Sequence, residues 1–207
     1  MSTYLRESAG DLPQALLLYR WNSEVSAAVW EVLGHMEIVL RNAIHGALTT
    51  RHQRESRPGF WFDDKRYGLH DTAAREVVLA RRRATQVPTG RRPSSPVPDG
   101  KIVAELSFGF WRYLLAKRYA PTLWPAIRHG FPHLPSRRRE NLEQPVTRLH
   151  RLRNRIGHHE PVLHEDLPGR IGDVTAVLDF VDTELTGWVF DDRVRLDRLL
   201  ANRPTRN

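Results

Sequence analysis

Residues 137–161 read RRRENLEQPVTRLHRLRNRIGHHEP. On a helical wheel at about 100° per residue, Leu142, Val146, Leu149 and Ile156 gather on one side. Ser136 stands ahead of the run as a candidate N-cap, and Gly157 stands where a helix commonly ends. The spacing predicts an amphipathic helix over 137–157, kinked or split by Pro145. Its apolar stripe has one intruder. Arg153 falls in the middle of it, whereas Arg148, Arg151 and Arg155 point the other way. An arginine on an apolar face needs a partner, because a dry, unpaired charge is strongly destabilising. That partner is either a carboxylate or an anionic ligand.

Outward from this helix, the chain reads as helical almost throughout. Residues 11–20 predict a short helix and residues 23–51 a long one, with Asn22 as its N-cap. Residues 54–70 read as a loop with buried aromatics, and 72–85 as a helix capped by Asp71. Four prolines and two glycines in QVPTGRRPSSPVPDG, residues 86–100, exclude helix or central strand. Residues 101–119 form an apolar, aromatic-rich helix, a short helix lies among the prolines that follow it, and 168–190 gives a further helix. A basic helix at about 192–201 leads into a frayed tail. Strand-like alternation is weak and no repeat is evident. The expectation is an all-α helical bundle, one domain spanning residues 1–207. Trp21, Trp30, Trp111 and Trp188 are expected in its core.

Composition narrows the chemistry. Thirty-two basic residues against 24 acidic give a net charge of +8, and all but three of the basic residues are arginine. Arginine's planar fork suits phosphate, so an anionic partner, RNA first, is the natural reading. The runs Arg81-Arg82-Arg83, Arg91-Arg92 and Arg137-Arg138-Arg139 are either solvated faces or a track for an RNA backbone. The chain has no cysteine, which excludes disulfides, thiolate metal sites and cysteine nucleophiles. No apolar run approaches a membrane span, and the N-terminal residues lack a signal-peptide core, so a cytoplasmic location is expected.

The end of the 137–157 helix carries the candidate chemistry. His158 and His159 follow at once, near the negative end of the helix dipole, and histidine is the usual proton shuttle near neutral pH. Arg153, Asn154 and the two histidines make a phosphate-binding and proton-transferring set with no accompanying metal ligands. His159-Glu160 with His164 is not a zinc motif, because the spacing is one residue too long and Pro161 breaks the helix. On the 23–51 helix, Glu37 and Arg41 are four apart and share a face. Either they pair with each other or Glu37 orients Arg153 or a histidine.

The string Arg153-Asn154-Arg155-Ile156-Gly157-His158 resembles the R-x4-6-H motif of HEPN domains, and His159 also satisfies that spacing. Its wider context, Leu152 to Pro161, is similar to the Abi-like, or abortive-infection, branch of that superfamily. Three other blocks agree in order: Leu18-Tyr19-Arg20-Trp21-Asn22, Glu37-Ile38-Val39-Leu40-Arg41-Asn42, and Val103 to Trp111 with its Phe-Gly-Phe-Trp core. The resemblance covers about residues 10–190. It implies an all-α homodimer whose two motif helices face one cleft. It also implies a metal-independent endoribonuclease, often a toxin in phage defence, with no cofactor. A histidine would take the proton of the ribose 2′-OH, Arg153 would hold the phosphate oxygens and Asn154 would orient either group. Arg137, Arg138, Arg139 and Arg155 would contact the RNA backbone. DNA, lacking the 2′-OH, would be inert. The alternatives are a HEPN-fold RNA-binding or regulatory module that does not cut and, less supported, a DNA-binding regulator. Neither the RNA target nor any antitoxin partner is legible in the chain.

Overall fold

A computed structural model describes residues 2–85, 97–191 and 193–204. Among the described residues the chain is all-α. Its helices are α1 (Ser2–Glu7), α2 (Leu12–Arg54), α3 (Asp71–Thr85), α4 (Asp99–Ala104), α5 (Phe108–Leu114), α6 (Trp124–Ile127), α7 (Arg139–Gly157), α8 (Leu167–Val181), α9 (Glu184–Val189) and α10 (Arg193–Ala201). Residues 86–96, which hold most of the Pro-rich segment together with Arg91 and Arg92, lie outside the described residues. Contacts divide the chain into two compact units, 1–37 with 144–207 and 38–143, and both α2 and α7 contribute to each.

The first unit carries the candidate site. Asp11 caps the start of α2, its Oδ1 accepting from the Gln14 amide at 3.2 Å, with Pro13 in the first turn. The expected break at residues 20–22 does not occur. Nothing there interrupts helical hydrogen bonding, so α2 runs for 43 residues. Asn22 is therefore no N-cap. It is buried inside the helix, and its Oδ1 accepts from the Val162 amide at 2.8 Å. Val25, Val29, Leu33 and Met36 of α2 are buried, as are Val146, Leu149 and Leu152 of α7. The expected 168–190 helix is two helices, α8 and α9, broken at Asp182, which leaves the helical region at φ −159°. The expected basic helix near 192–201 is α10, and the end of the tail expected to follow it falls outside the described residues. Trp21 Nε1 donates to the Leu199 carbonyl at 2.7 Å.

In the second unit, the 54–70 loop buries Trp61, Phe62 and Tyr67 on two 3-10 turns, as expected. The apolar run 101–119 does not form one helix. It stops after Ala104 and restarts at Phe108, because Ser107 is extended and its Oγ accepts from the Phe110 amide at 3.1 Å, the bond of an N-cap. The α2 backbone is approached closely at Gly130, where a Cβ would meet the Ala43 carbonyl oxygen at 2.5 Å. Ser136 is not the cap of α7. Ser136 and Arg137 both adopt left-handed backbone, with φ of 53° and 47°, and the helix starts only at Arg139. The helix then runs through Pro145 without splitting. Of the four tryptophans expected in the core, Trp21 and Trp111 are buried, whereas Trp30 and Trp188 are 41% and 64% exposed.

Candidate functional site

The C-terminus of α7 closes in a Schellman turn. The Glu160 amide donates to the Arg155 carbonyl and the His159 amide to the Ile156 carbonyl, each at 2.9 Å. The left-handed position of that turn is the one glycine normally fills. Here it is His159, at φ 55°, two residues beyond the glycine that the sequence offers as the terminator. Any Cβ in this region crowds the backbone carbonyl and carries a strain of about 1 kcal/mol. Such strain persists only where the surroundings enforce it, and it gathers at functional positions.

Several contacts do the enforcing. Asn22 of α2 holds the amide of Val162. The Arg155 guanidinium reaches Glu165 at 2.9 Å and Glu160 at 3.5 Å, and donates to the Pro161 carbonyl at 3.3 Å. Arg155 is thus engaged in fixing the turn. Beneath it, Arg148 donates to both oxygens of the nearly buried Asp173, at 2.9 and 2.5 Å, while Arg170 approaches the same carboxylate at 2.9 Å. The hydrogen bonds donated to Asp173 hold the Arg148 proton more firmly than usual, against the opposing effect of burial.

Arg153 has the partner its position demands. Its Nε lies 3.9 Å from Glu37 Oε2, with the two side chains 37% and 24% exposed. That distance is an ion pair without a hydrogen bond, and Nε is itself buried with no hydrogen-bond partner. The guanidinium carbon lies 5.0 Å from the centre of the Trp30 ring, within cation–π range. Gly157 completes this corner, since a Cβ there would touch the Trp30 ring at 3.5 Å and an Arg153 terminal nitrogen at 4.0 Å.

The turn sends the two histidines into different surroundings. His159 lines a mainly apolar recess of about 500 Å³ with Tyr4, Tyr19, Trp30 and Gly157. His158 lines a polar recess of about 580 Å³ with Asn154, Arg148, Arg151 and Arg170. The Asn154 amide stands 3.5 Å from His150 Nε2. Arg153, Glu37, Trp30 and His159 therefore form one group, and Asn154 with His158 another, on the two sides of one helix end.

The remaining candidates lie in the second unit. Arg41 has its Nε buried without a hydrogen-bond partner. Arg137 and Arg138 are exposed. Arg139 is mostly enclosed and donates to the Leu115 carbonyl at 2.6 Å and to Glu140 at 2.9 Å, which is a structural task. Among the described residues, no group of three or more His, Asp or Glu side chains could hold a metal ion, and no helix is long and apolar enough to cross a membrane. Sequence reasoning missed Trp30 and the role of Asn22. Both sit on an apolar helix where core packing and capping are the ordinary readings. No protein-family model, curated protein or solved structure matches the chain.

Proposed function

We propose that this chain is a metal-independent endoribonuclease of HEPN type, acting as a toxin in phage defence and working as a homodimer. The observation that carries the reading is that the strained His159 shares a recess with Trp30, on which rests a half-exposed Arg153 that also pairs with Glu37. Such a group matches the needs of RNA cleavage by internal attack. His159 takes the proton of a ribose 2′-OH, and the 2′-oxygen attacks the adjacent phosphorus. The 5′-oxygen of the next nucleotide leaves, and a proton donor, His158 or water, completes it as a 5′-OH. The other product is a 2′,3′-cyclic phosphate. Arg153 neutralises the non-bridging oxygens as charge builds on them. Its Glu37 contact is long, which leaves the guanidinium free to follow the phosphate.

His159 is favoured over His158 as the base because it shares its recess with Trp30, on which Arg153 rests. His158 then lies along the polar recess with Asn154 and four arginines, set among the carboxylates of Glu160, Glu165 and Asp166, and the arginines suit an RNA backbone. The test is to incubate purified chain with RNA in EDTA, compare Arg153→Ala and His159→Ala, and determine the product ends. Cleavage by the wild type alone, leaving cyclic phosphate, supports the reading. Intact RNA, or 5′-phosphate ends, counts against it.

A further inference from the structure

We propose that the recess beside His159 binds one unstacked base of the RNA, and that it selects a base carrying an exocyclic amine. The ligand class rests on the ribonuclease reading above; the recess itself rests on separate observations. Its volume, about 500 Å³, falls in the range of small-ligand clefts. Tyr19 and Trp30, both on α2, leave 50% and 41% of their surface exposed. Exposed aromatic surface inside a concavity is what base stacking requires. Tyr4 stands edge-on to Tyr19 at 5.3 Å between ring centres and holds that ring upright.

The surrounding charges fit a nucleotide. Arg153 lies against Trp30, so a base stacked in the recess has its own phosphate beside the guanidinium. Glu160 is the one carboxylate among the residues lining the recess, and its other contact is Arg155 at 3.5 Å. An ionised carboxylate only accepts hydrogen bonds. It therefore favours guanine, with its ring N–H and amino group side by side, then adenine and cytosine, over uracil. Ser23 and Ser26 supply hydroxyls on the same wall, the Ser23 Oγ already donating to the Tyr19 carbonyl at 3.1 Å.

The experiment uses full-length chain and non-cleavable 2′-O-methyl oligonucleotides that differ only in one central residue: guanine, uracil or no base. Affinity is measured by fluorescence anisotropy in EDTA at fixed salt, for wild type, Tyr19→Ser, Ser26→Leu and Glu160→Gln. Stacking of one base predicts that wild type binds the guanine oligonucleotide about tenfold or more tighter than the abasic one. Tyr19→Ser removes the stacking face and Ser26→Leu fills the recess. Either should shrink that ratio to about twofold and leave abasic binding unchanged. Glu160→Gln should erase the preference for guanine over uracil. Equal wild-type binding of the guanine and abasic oligonucleotides overturns the proposal. So does failure to bind any of them, or an unchanged ratio in both recess variants. Sedimentation velocity on the same variants identifies the other occupant, since a dimer that dissociates in Tyr19→Ser with the base ratio intact means the recess holds a second copy. RNA cleavage in EDTA is measured in parallel. Base-dependent binding without cleavage removes the ribonuclease reading and keeps the recess, and cleavage without base-dependent binding does the reverse.

Discussion

Arg153 rests on Trp30, its guanidinium carbon 5.0 Å from the ring centre. Trp30 lies on α2 and Arg153 on α7, so this contact ties the motif helix to the longest helix of the same unit. It also explains how an arginine occupies an apolar stripe. The ring supplies an apolar surface with a partial negative charge, and Glu37 supplies the formal one at 3.9 Å. The site is thus assembled from residues whose individual roles would be unremarkable: an ion pair, an exposed tryptophan and a helix end.

Arg153→Ala should lose about 100-fold or more in RNA cleavage, in line with removal of a group that stabilises transition-state charge. Stability should fall by only about 1 kcal/mol, because the pair is partly exposed and lacks a hydrogen bond. Glu37→Gln should keep the fold and reduce cleavage by about tenfold, since the arginine is less firmly placed. Urea titrations and cleavage rates on the same preparations check both. A loss of several kcal/mol in Arg153→Ala would assign the residue to structure alone.

His159→Gly separates strain from chemistry. Glycine accepts the left-handed turn without a steric cost, so this variant should be more stable than wild type by about 1 kcal/mol. It should also lose cleavage. His158→Ala occupies the adjacent, unstrained position and should show no such gain. Thermal melts with parallel activity assays are sufficient. A destabilised His159→Gly would mean that the side chain, and not the backbone, holds the turn.

The three consecutive arginines at 137–139 should divide. Arg137→Gln with Arg138→Gln should leave the melting temperature unchanged and lower the slope of log K against log salt for RNA binding by about one to two units. Arg139→Gln should act mainly on the fold, costing about 1–3 kcal/mol, because the Leu115 carbonyl loses its buried donor. An equal effect of all three on the salt slope would contradict this division.

In the second unit, His45 links stability to pH. Its Nδ1 accepts from Trp61 Nε1 at 3.0 Å, and its Nε2 lies 3.4 Å from Asp99. Burial holds this imidazole below its ordinary value of 6.5, outweighing the upward pull of Asp99, while Arg41 adds a smaller push downward. The unfolded chain therefore takes up this proton first. The contribution is complete above about pH 6.5 and fades as pH falls through the lowered folded value. Between about pH 7.5 and pH 5, wild type should lose more melting temperature than His45→Gln. Parallel losses would show that His45 is not the linked group.

The sequence made some of this legible and concealed the rest for physical reasons. Arg153 stood out because helical periodicity is a strong signal and a charge in an apolar stripe violates it. Glu37 was a reasonable partner on the same grounds, and the structure brings it to Arg153. The helix ends at Gly157, where the sequence offers a terminator, yet the left-handed conformation that glycine favours falls two residues later, on His159. Asn22 reads as a cap from local sequence, yet its partner, Val162, is 140 residues away. The interruption at Ser107 is hidden by the apolar residues on both sides. Tertiary partners of this kind leave no periodic trace.

The most direct measurement is cleavage of a defined RNA by the purified chain in excess EDTA, with the product ends read by sensitivity to a phosphatase before and after acid opening of cyclic phosphates. Wild type should cut, leaving 2′,3′-cyclic phosphate and 5′-OH ends, and Arg153→Ala and His159→Ala prepared identically should not. Cleavage that needs a divalent ion, that yields 5′-phosphate ends or that survives in both variants would contradict the assignment of Arg153 and His159 to a metal-independent ribonuclease site.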